Sequence, residues 1–434
     1  MKKHWFLILR RTVLFFALAF IPIQTDAYDE NGVLMGGFTL MGNDGAAEAG
    51  ENPAYLVFPK NEAASSLAFR SWGESALNTS FSKLNVESSL QWLAAGDLSY
   101  ALHKFMDNKL AIGASLNSVR NPTIHRFDFQ ASTYLPALAA SITSNSSMEQ
   151  LQAAASVGAA YRLTASESIG VQLKYSARFE SNISKANFEK FSVRNLQEAH
   201  NDNTMHTATA GVSYLFRTSP ADFSFMVGNL GYKYQSVAFT HTASGNILGS
   251  VSEAGSFNNQ FLTQPEFTLG SRVRLFDAVH LFTELGAQPP IECSGSDKTY
   301  RDEAPKGVVV RSFTARFEPG FSAALGFSFV VTPTLTLFTG VRGEKNQAAS
   351  TFTSVSPGEY TNKNQTVLQM VASGGAAWRW NKILLQAGVQ YFYQAVDQSQ
   401  SARLNNGIGT ITKDSGFQIE INGLGGYFGV AFDF

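Results

Sequence analysis

The sequence predicts an all-β protein: a fourteen-stranded antiparallel transmembrane β-barrel with an N-terminal plug segment. Three observations predict it. The chain opens like an exported protein, its strand-like segments alternate apolar and polar residues over ten positions or more, and short connections alternate with long ones along its length.

Residues 1–27, MKKHWFLILRRTVLFFALAFIPIQTDA, read as a cleaved signal peptide. Lys2, Lys3, Arg10 and Arg11 flank the start of an apolar run over 13–23, and Thr25, Asp26 and Ala27 bring small residues to a cleavage site. Eleven apolar residues are too few to cross about 30 Å of hydrocarbon. Removing the peptide leaves 29 Lys and Arg against 33 Asp and Glu, a net charge of about −4 with no electrostatic footprint for nucleic acid. The lone Cys293 excludes an internal disulfide framework and argues against thiolate metal clusters. With 35 Phe, 36 Gly and 14 Tyr against 13 Pro, the composition suits a membrane barrel.

Residues 28–62 hold six glycines and a run of alanines, and no period of 2 or 3.6 persists through them. Val33, Leu34, Met35, Phe38, Leu40 and Met41 are too apolar for a free tail, so the segment is expected to bury itself inside the barrel. Asn52 and Pro53 form a rigid turn ending it: proline fixes φ and turns Asn52 away from helix.

Residues 63–434 form the expected barrel. In 168–179, Ile169, Val171, Leu173, Tyr175, Ala177 and Phe179 alternate with Ser168, Gly170, Gln172, Lys174, Ser176 and Arg178. A strand puts those sets on opposite faces, one suited to lipid and one to water. The split recurs over 321–331 and 382–394. Short links at 106–109, 164–168, 217–222, 276–278, 332–334 and 380–382 alternate with long polar ones near 73–87, 121–150, 181–203, 241–264, 288–311, 344–365 and 395–416. Six short links and seven long ones join fourteen strands. Their expected limits are 64–72, 88–105, 110–120, 151–163, 168–180, 204–216, 223–240, 265–275, 279–287, 312–331, 335–343, 366–379, 383–394 and 417–434. Within the long links, 184–199 spaces Phe188, Phe191 and Leu196 near helical intervals, and 134–138 forms an apolar patch.

In the closing strand Leu424, Phe428, Val430, Phe432 and the terminal Phe434 share a face, and Phe434 resembles an outer-membrane assembly signal. Phe417, Ile419 and Ile421 have the opposite phase, so either a bulge at Asn422 and Gly423 reverses it or those three face the lumen.

The stretch GNDGAAEAGENPA, residues 42–54, resembles the amino-terminal hatch of the FadL-type outer-membrane transporters of long-chain fatty acids and aromatic hydrocarbons. That hatch is Gly/Ala-rich and ends in Asn-Pro-Ala, matched here by Asn52, Pro53 and Ala54. Where the family continues with a small residue, this chain has Tyr55 and Leu56, and it is similar to divergent members. The resemblance implies passive passage of hydrophobic molecules, most of all long-chain fatty acids, across a bacterial outer membrane. It also implies partners in outer-membrane lipids and the barrel-assembly machinery, and apolar outer loops on which ligand lands.

No catalytic motif, cofactor motif or zinc-ligand spacing is legible, so no catalytic residue, metal or cofactor is assigned and the chain is not expected to be an enzyme. Parity directs Arg162, Lys174, Arg178, Glu266, Arg272, Arg274 and Glu284 toward the lumen. Arg272 and Glu284 sit one diagonal step apart, as an ion ladder would. Lys174, Arg178 and Arg272 are the candidates for a ligand carboxylate. Phe282, Phe338, Leu384 and Phe392 point the same way and are candidates to line an acyl path, where each buried CH₂ contributes about 0.8 kcal/mol. A general diffusion porin or a surface adhesin built on a barrel are the alternatives.

Overall fold

A computed structural model of the chain describes residues 51–58, 65–81, 84–86, 90–105, 109–129, 141–190, 193–245, 249–301, 308–353, 360–381, 383–405 and 410–433. The signal peptide, residues 28–50 and 59–62 of the expected plug, the 134–138 patch and Phe434 lie outside the described residues.

A 3-10 helix, Pro53–Val57, precedes eighteen strands among the described residues. They are β1 Ser65–Phe81, β2 Leu84–Val86, β3 Leu90–Phe105, β4 Leu110–Phe129, β5 Ser141–Arg162, β6 Glu167–Lys190, β7 Val193–Arg217, β8 Ala221–Gly245, β9 Gly249–Leu262, β10 Glu266–Phe276, β11 Val279–Gln288, β12 Ile291–Arg301, β13 Val308–Phe317, β14 Gly320–Thr332, β15 Leu335–Thr353, β16 Tyr360–Trp380, β17 Ile383–Asn405 and β18 Thr410–Asp433. All belong to one antiparallel sheet. From β3 to β8 each strand bonds the next. β8 bonds β10, β10 bonds β11, and β11 bonds β14. From β14 to β18 neighbours again follow chain order, and β1 bonds β18 and β3.

The expected fold class is overturned: in place of a fourteen-stranded barrel with irregular outer links, the described residues form an eighteen-stranded antiparallel sheet. β2, β9 and β12 lie within stretches expected as loops, and the strand expected at 312–331 is divided into β13 and β14 at Glu318 and Pro319. Strand ends beside short links fall close to expectation because turn residues mark them. The opposite ends run on through polar residues, as in β7, which begins at Val193 rather than 204. Backbone N–H and C=O groups pair whatever side chains they carry, so polarity alone did not end these strands. The helical spacing over 184–199 is likewise a β-hairpin, with Lys190 opposite Val193. No register shift interrupts β17 and β18 at Asn422 and Gly423; the irregularity lies in β1, between Ala76 and Asn78, directly across from them.

The two faces of the sheet are chemically inverted relative to a water-soluble protein. Large apolar side chains stand exposed, among them Leu173 at 66 %, Val389 at 67 % and Phe321 at 60 %. The sheltered face instead buries polar groups, including Ser168, Gln172, Arg178, Ser213, Asp222, Ser224, Glu284 and Gln386. Among the described residues no helix is long and apolar enough to cross a membrane.

One region of the sheet is interrupted. β9 and β10 are separated by Thr263, Gln264 and Pro265, β11 and β12 by Pro289 and Pro290, and β13 and β14 by Glu318 and Pro319. Proline lacks the N–H a ladder needs, so each prolyl residue stops pairing locally. The three gaps are neighbours: Gln264 Nε2 donates to Pro289 O at 2.7 Å and to Glu318 O at 3.1 Å. Below them β8 pairs with β10 and β11 with β14; above them β8 pairs with β9, β9 with β12, and β13 with β15. The left-handed Asn229, φ 57°, marks where β8 changes partner.

Candidate functional site

Residues 51–58 lie against the sheltered face, and their path follows from the local sequence. Pro53 at the first position of the 3-10 helix supplies a fixed φ and has no N–H to satisfy. Tyr55 N donates to Asn52 O at 3.0 Å, and Phe58 N to Tyr55 O at 2.9 Å, closing the turn. Pro53, Ala54, Tyr55, Leu56 and Val57 are all buried.

The sheet meets this turn with small hydroxyl side chains. Asn52 Nδ2 donates to Ser224 Oγ at 2.7 Å, Ala54 N to Ser213 Oγ at 3.1 Å, and Ser168 Oγ to Ala54 O at 2.6 Å. Three strands, β6, β7 and β8, thus hold the motif at its two ends, Asn52 and Ala54. Gly170 completes the fit: a Cβ there would stand 2.3 Å from Ala54 N and 2.6 Å from the Pro53 carbonyl carbon. Only a residue without a side chain lets the two backbones approach so closely.

Beyond the motif, arginines hold aromatic rings. Arg162 lies 4.8 Å from the Phe58 ring centroid and donates Nη2 to Val57 O. Arg217 stands 5.1 Å from the Phe58 centroid and 5.9 Å from that of Tyr55, and Arg272 lies 5.8 Å from Tyr55. These separations are within cation–π range. Asp222, itself buried, fixes two of the arginines: Arg217 Nε to Oδ1 at 3.3 Å and Arg272 Nη2 to Oδ2 at 2.5 Å. Tyr55, the residue at which the sequence departs from the FadL-type pattern, is therefore an aromatic handle for these arginines.

The apolar candidates divide. Phe282 is buried with Tyr55, Ala54, Leu215 and Ala324, and Phe338 packs against that cluster. Phe338 also packs against Leu384 and Ala377, so Phe282, Phe338 and Leu384 form one continuous apolar surface. Phe392 is buried but belongs to neither cluster. Among the carboxylate candidates, Arg272 is engaged by Asp222, and Arg178 makes an ion pair with Glu180. Lys174 lines a cavity of about 200 Å³ beside Arg178. Of the residues expected to form an ion ladder, Arg272 pairs with Asp222, and Glu284 accepts from Arg342 Nη1 at 3.0 Å. Arg162 turns to Val57, Glu266 accepts from Asn229 Nδ2 at 3.0 Å, and Arg274 is exposed.

Ser168, Ser213, Ser224, Gly170, Arg217 and Asp222 were not singled out from sequence. The signal for Gly170 was its place on the sheltered parity between Ser168 and Gln172; for the serines there was none beyond parity. A second concavity, about 460 Å³, opens among Tyr214, Phe216, Phe223, Phe225 and Leu269, four of them aromatic side chains on the exposed apolar face. Among the described residues no group of three or more His, Cys, Asp or Glu could hold a metal ion.

This architecture matches solved structures along nearly its whole length. The toluene transporter TodX of Pseudomonas putida superposes with a TM-score of 0.61 at 12% identity, covering 94% of this chain and 98% of that one. A FadL homologue from Pseudomonas aeruginosa gives 0.58 at 12% identity, covering 94% and 99%. The Ralstonia pickettii toluene transporter TbuX gives 0.58 at 10% identity, covering 95% and 100%. The chain has the fold of the FadL-type transporters. No protein-family model and no curated protein matches the sequence. At 10–12% identity the likeness is one of fold.

Proposed function

We propose that this chain is an outer-membrane transporter that carries hydrophobic molecules, long-chain fatty acids foremost, inward by passive diffusion, with residues 28–62 as its hatch. The observation that carries the reading is the fold shared with hydrocarbon and FadL-type transporters over 94–95% of the chain. Two features of the chain support it. Its exposed face carries large apolar side chains, as a lipid-facing sheet requires, and its sheltered face meets the Asn52–Phe58 segment through contacts made by β6, β7 and β8. Asn52, Pro53 and Ala54 then serve structure, holding the hatch against the sheet. Phe282, Phe338 and Leu384 offer a continuous surface for an acyl chain. Passage needs no catalysis and no cofactor of its own.

The test is reconstitution into lipid vesicles. Labelled oleate enters or equilibrates across them while a small sugar stays excluded. Free passage of the sugar with no oleate transfer would replace this reading with a diffusion porin, and oleate transfer abolished only by trimming the outer hairpins would favour an adhesin-like surface.

A further inference from the structure

We infer that the aromatic cleft on the exposed apolar face seats one phospholipid, held by a primary ammonium headgroup at Glu167. The inference rests on the membrane placement in the transport reading. The cleft lies at the end of the sheet where β5 turns into β6 and β7 into β8. Register arranges its lining in two rows. Glu167 lies opposite Phe216 and Phe216 opposite Phe223, so the row nearest the turns carries one carboxylate beside two rings. Two residues further from the turns, Tyr214 lies opposite Phe225 and Phe225 opposite Leu269. That second row is about 7 Å deeper along the strands. The five neutral side chains are all exposed, and with Glu167 they line the concavity of about 460 Å³.

The order of the rows matches the order of groups in a lipid, charge at the rim and apolar surface below it. Tyr214 Oη donates to Glu167 Oε1 at 2.7 Å, and Thr164 Oγ1 donates to Oε2 at 3.0 Å. These two bonds fix the carboxylate and use two of its roughly four acceptor positions. Asp222, Glu284, Glu198 and Glu318 each meet an Arg or Lys side chain. Glu167, half-buried, is held by hydroxyls instead and forms no ion pair among the described residues. A carboxylate fixed above an apolar cleft selects a cation that carries an apolar body. A primary ammonium donates to the remaining acceptor positions, and the rings beside Glu167 favour the same charge. An anionic headgroup is repelled there. The volume of about 460 Å³ falls within the roughly 300–1,000 Å³ of small-molecule sites, which suits a single occupant.

The experiment is native mass spectrometry of the full-length protein in non-ionic detergent, titrated with dioleoyl phosphatidylethanolamine and with dioleoyl phosphatidylglycerol. The two probes share their chains and differ in headgroup. Wild type retains one ethanolamine lipid at least about tenfold more tightly than the glycerol lipid, as a charge-assisted hydrogen bond provides. In Glu167→Gln the ethanolamine lipid falls to the glycerol level, whereas Glu198→Gln, which removes the same charge elsewhere, keeps the preference. Phe225→Ala weakens both lipids alike. Raising ammonium acetate on wild type shrinks the preference by competition and screening, a measurement that does not depend on any variant folding. Equal retention of the two lipids by wild type, a preference that survives Glu167→Gln, or one unmoved by ammonium acetate overturns the site. A dimer that Phe225→Ala dissolves overturns it too, because a second copy then fills the cleft. Flotation of the same preparations with lipid vesicles separates these outcomes from failure of the membrane placement: protein that inserts but shows no preference refutes only the site.

Discussion

Replacing Gly170 with alanine tests whether close backbone contact holds residues 51–58 to the sheet. The new methyl group would stand 2.3 Å from Ala54 N, 2.6 Å from the Pro53 carbonyl carbon and 2.9 Å from Ala54 Cα. All three are backbone atoms, so no side chain can swing aside; either β6 or the 3-10 turn must move. Displacing the turn loses the bonds from Ser168 Oγ to Ala54 O and from Ala54 N to Ser213 Oγ. Overpacking of this kind costs about 1–3 kcal/mol and each lost hydrogen bond about 1 kcal/mol, together about 3–5 kcal/mol, or at least a hundredfold in the docked equilibrium. Tyr55 is a chymotrypsin site, whereas the bond after Phe58 leads into Pro59 and resists the enzyme, and Tyr55 is only 4% exposed. Cleavage there tracks the population of the undocked segment, so the variant is cut about a hundredfold faster in detergent. Gly426→Ala is the control, because nothing lies within 4 Å of a Cβ at Gly426. Gly170→Ala protein that folds normally yet is cut no faster than wild type would refute the reasoning.

Other substitutions probe the rest of the frame. Asp222→Asn leaves Arg217 and Arg272 without their shared carboxylate, and since Asp222 is 6% exposed the expected loss is about 3–5 kcal/mol, read as a lower denaturant midpoint. Gln264→Ala removes the bonds to Pro289 O and Glu318 O; hydrogen exchange then accelerates in the segments flanking those residues, about tenfold for 1–2 kcal/mol, with β16 and β17 unchanged. Leu173→Lys puts a charge on the exposed apolar face and lowers the fraction inserted into lipid vesicles, with a cost of about 2–4 kcal/mol at the bilayer midplane, whereas Leu173→Phe inserts like wild type.

Side-chain parity was the most legible property. In β6 the residues assigned to lipid, Ile169, Val171, Leu173, Tyr175 and Phe179, are exposed, while Ser168, Gln172 and Arg178 are buried. Period two is a local property of the chain, so a short window carries it. The expected strand inventory failed where pairing outran side-chain pattern. β9 and β12 are polar, and a hairpin backbone closes on itself without an apolar stripe to announce it. Prolines at 265, 289, 290 and 319 were visible, but their alignment across neighbouring strands depends on register, which no single segment reveals. Ion partners were hidden for the same reason. Arg272 and Glu284 are diagonal neighbours, and each has a partner on its other flank that the sequence did not announce, Asp222 of β8 and Arg342 of β15. The Asn52–Pro53–Ala54 motif was readable; the serines and the glycine that receive it lie more than a hundred residues away and required the fold.

The aligned proline gaps have a consequence for how this sheet tolerates change. Because pairing restarts on the far side of each gap, a slip of one residue in the β12–β13 hairpin is not transmitted into β11 or β14, whose partners are set independently. The upper hairpins can therefore gain, lose or exchange residues while the lower ladder keeps every side chain on its proper face.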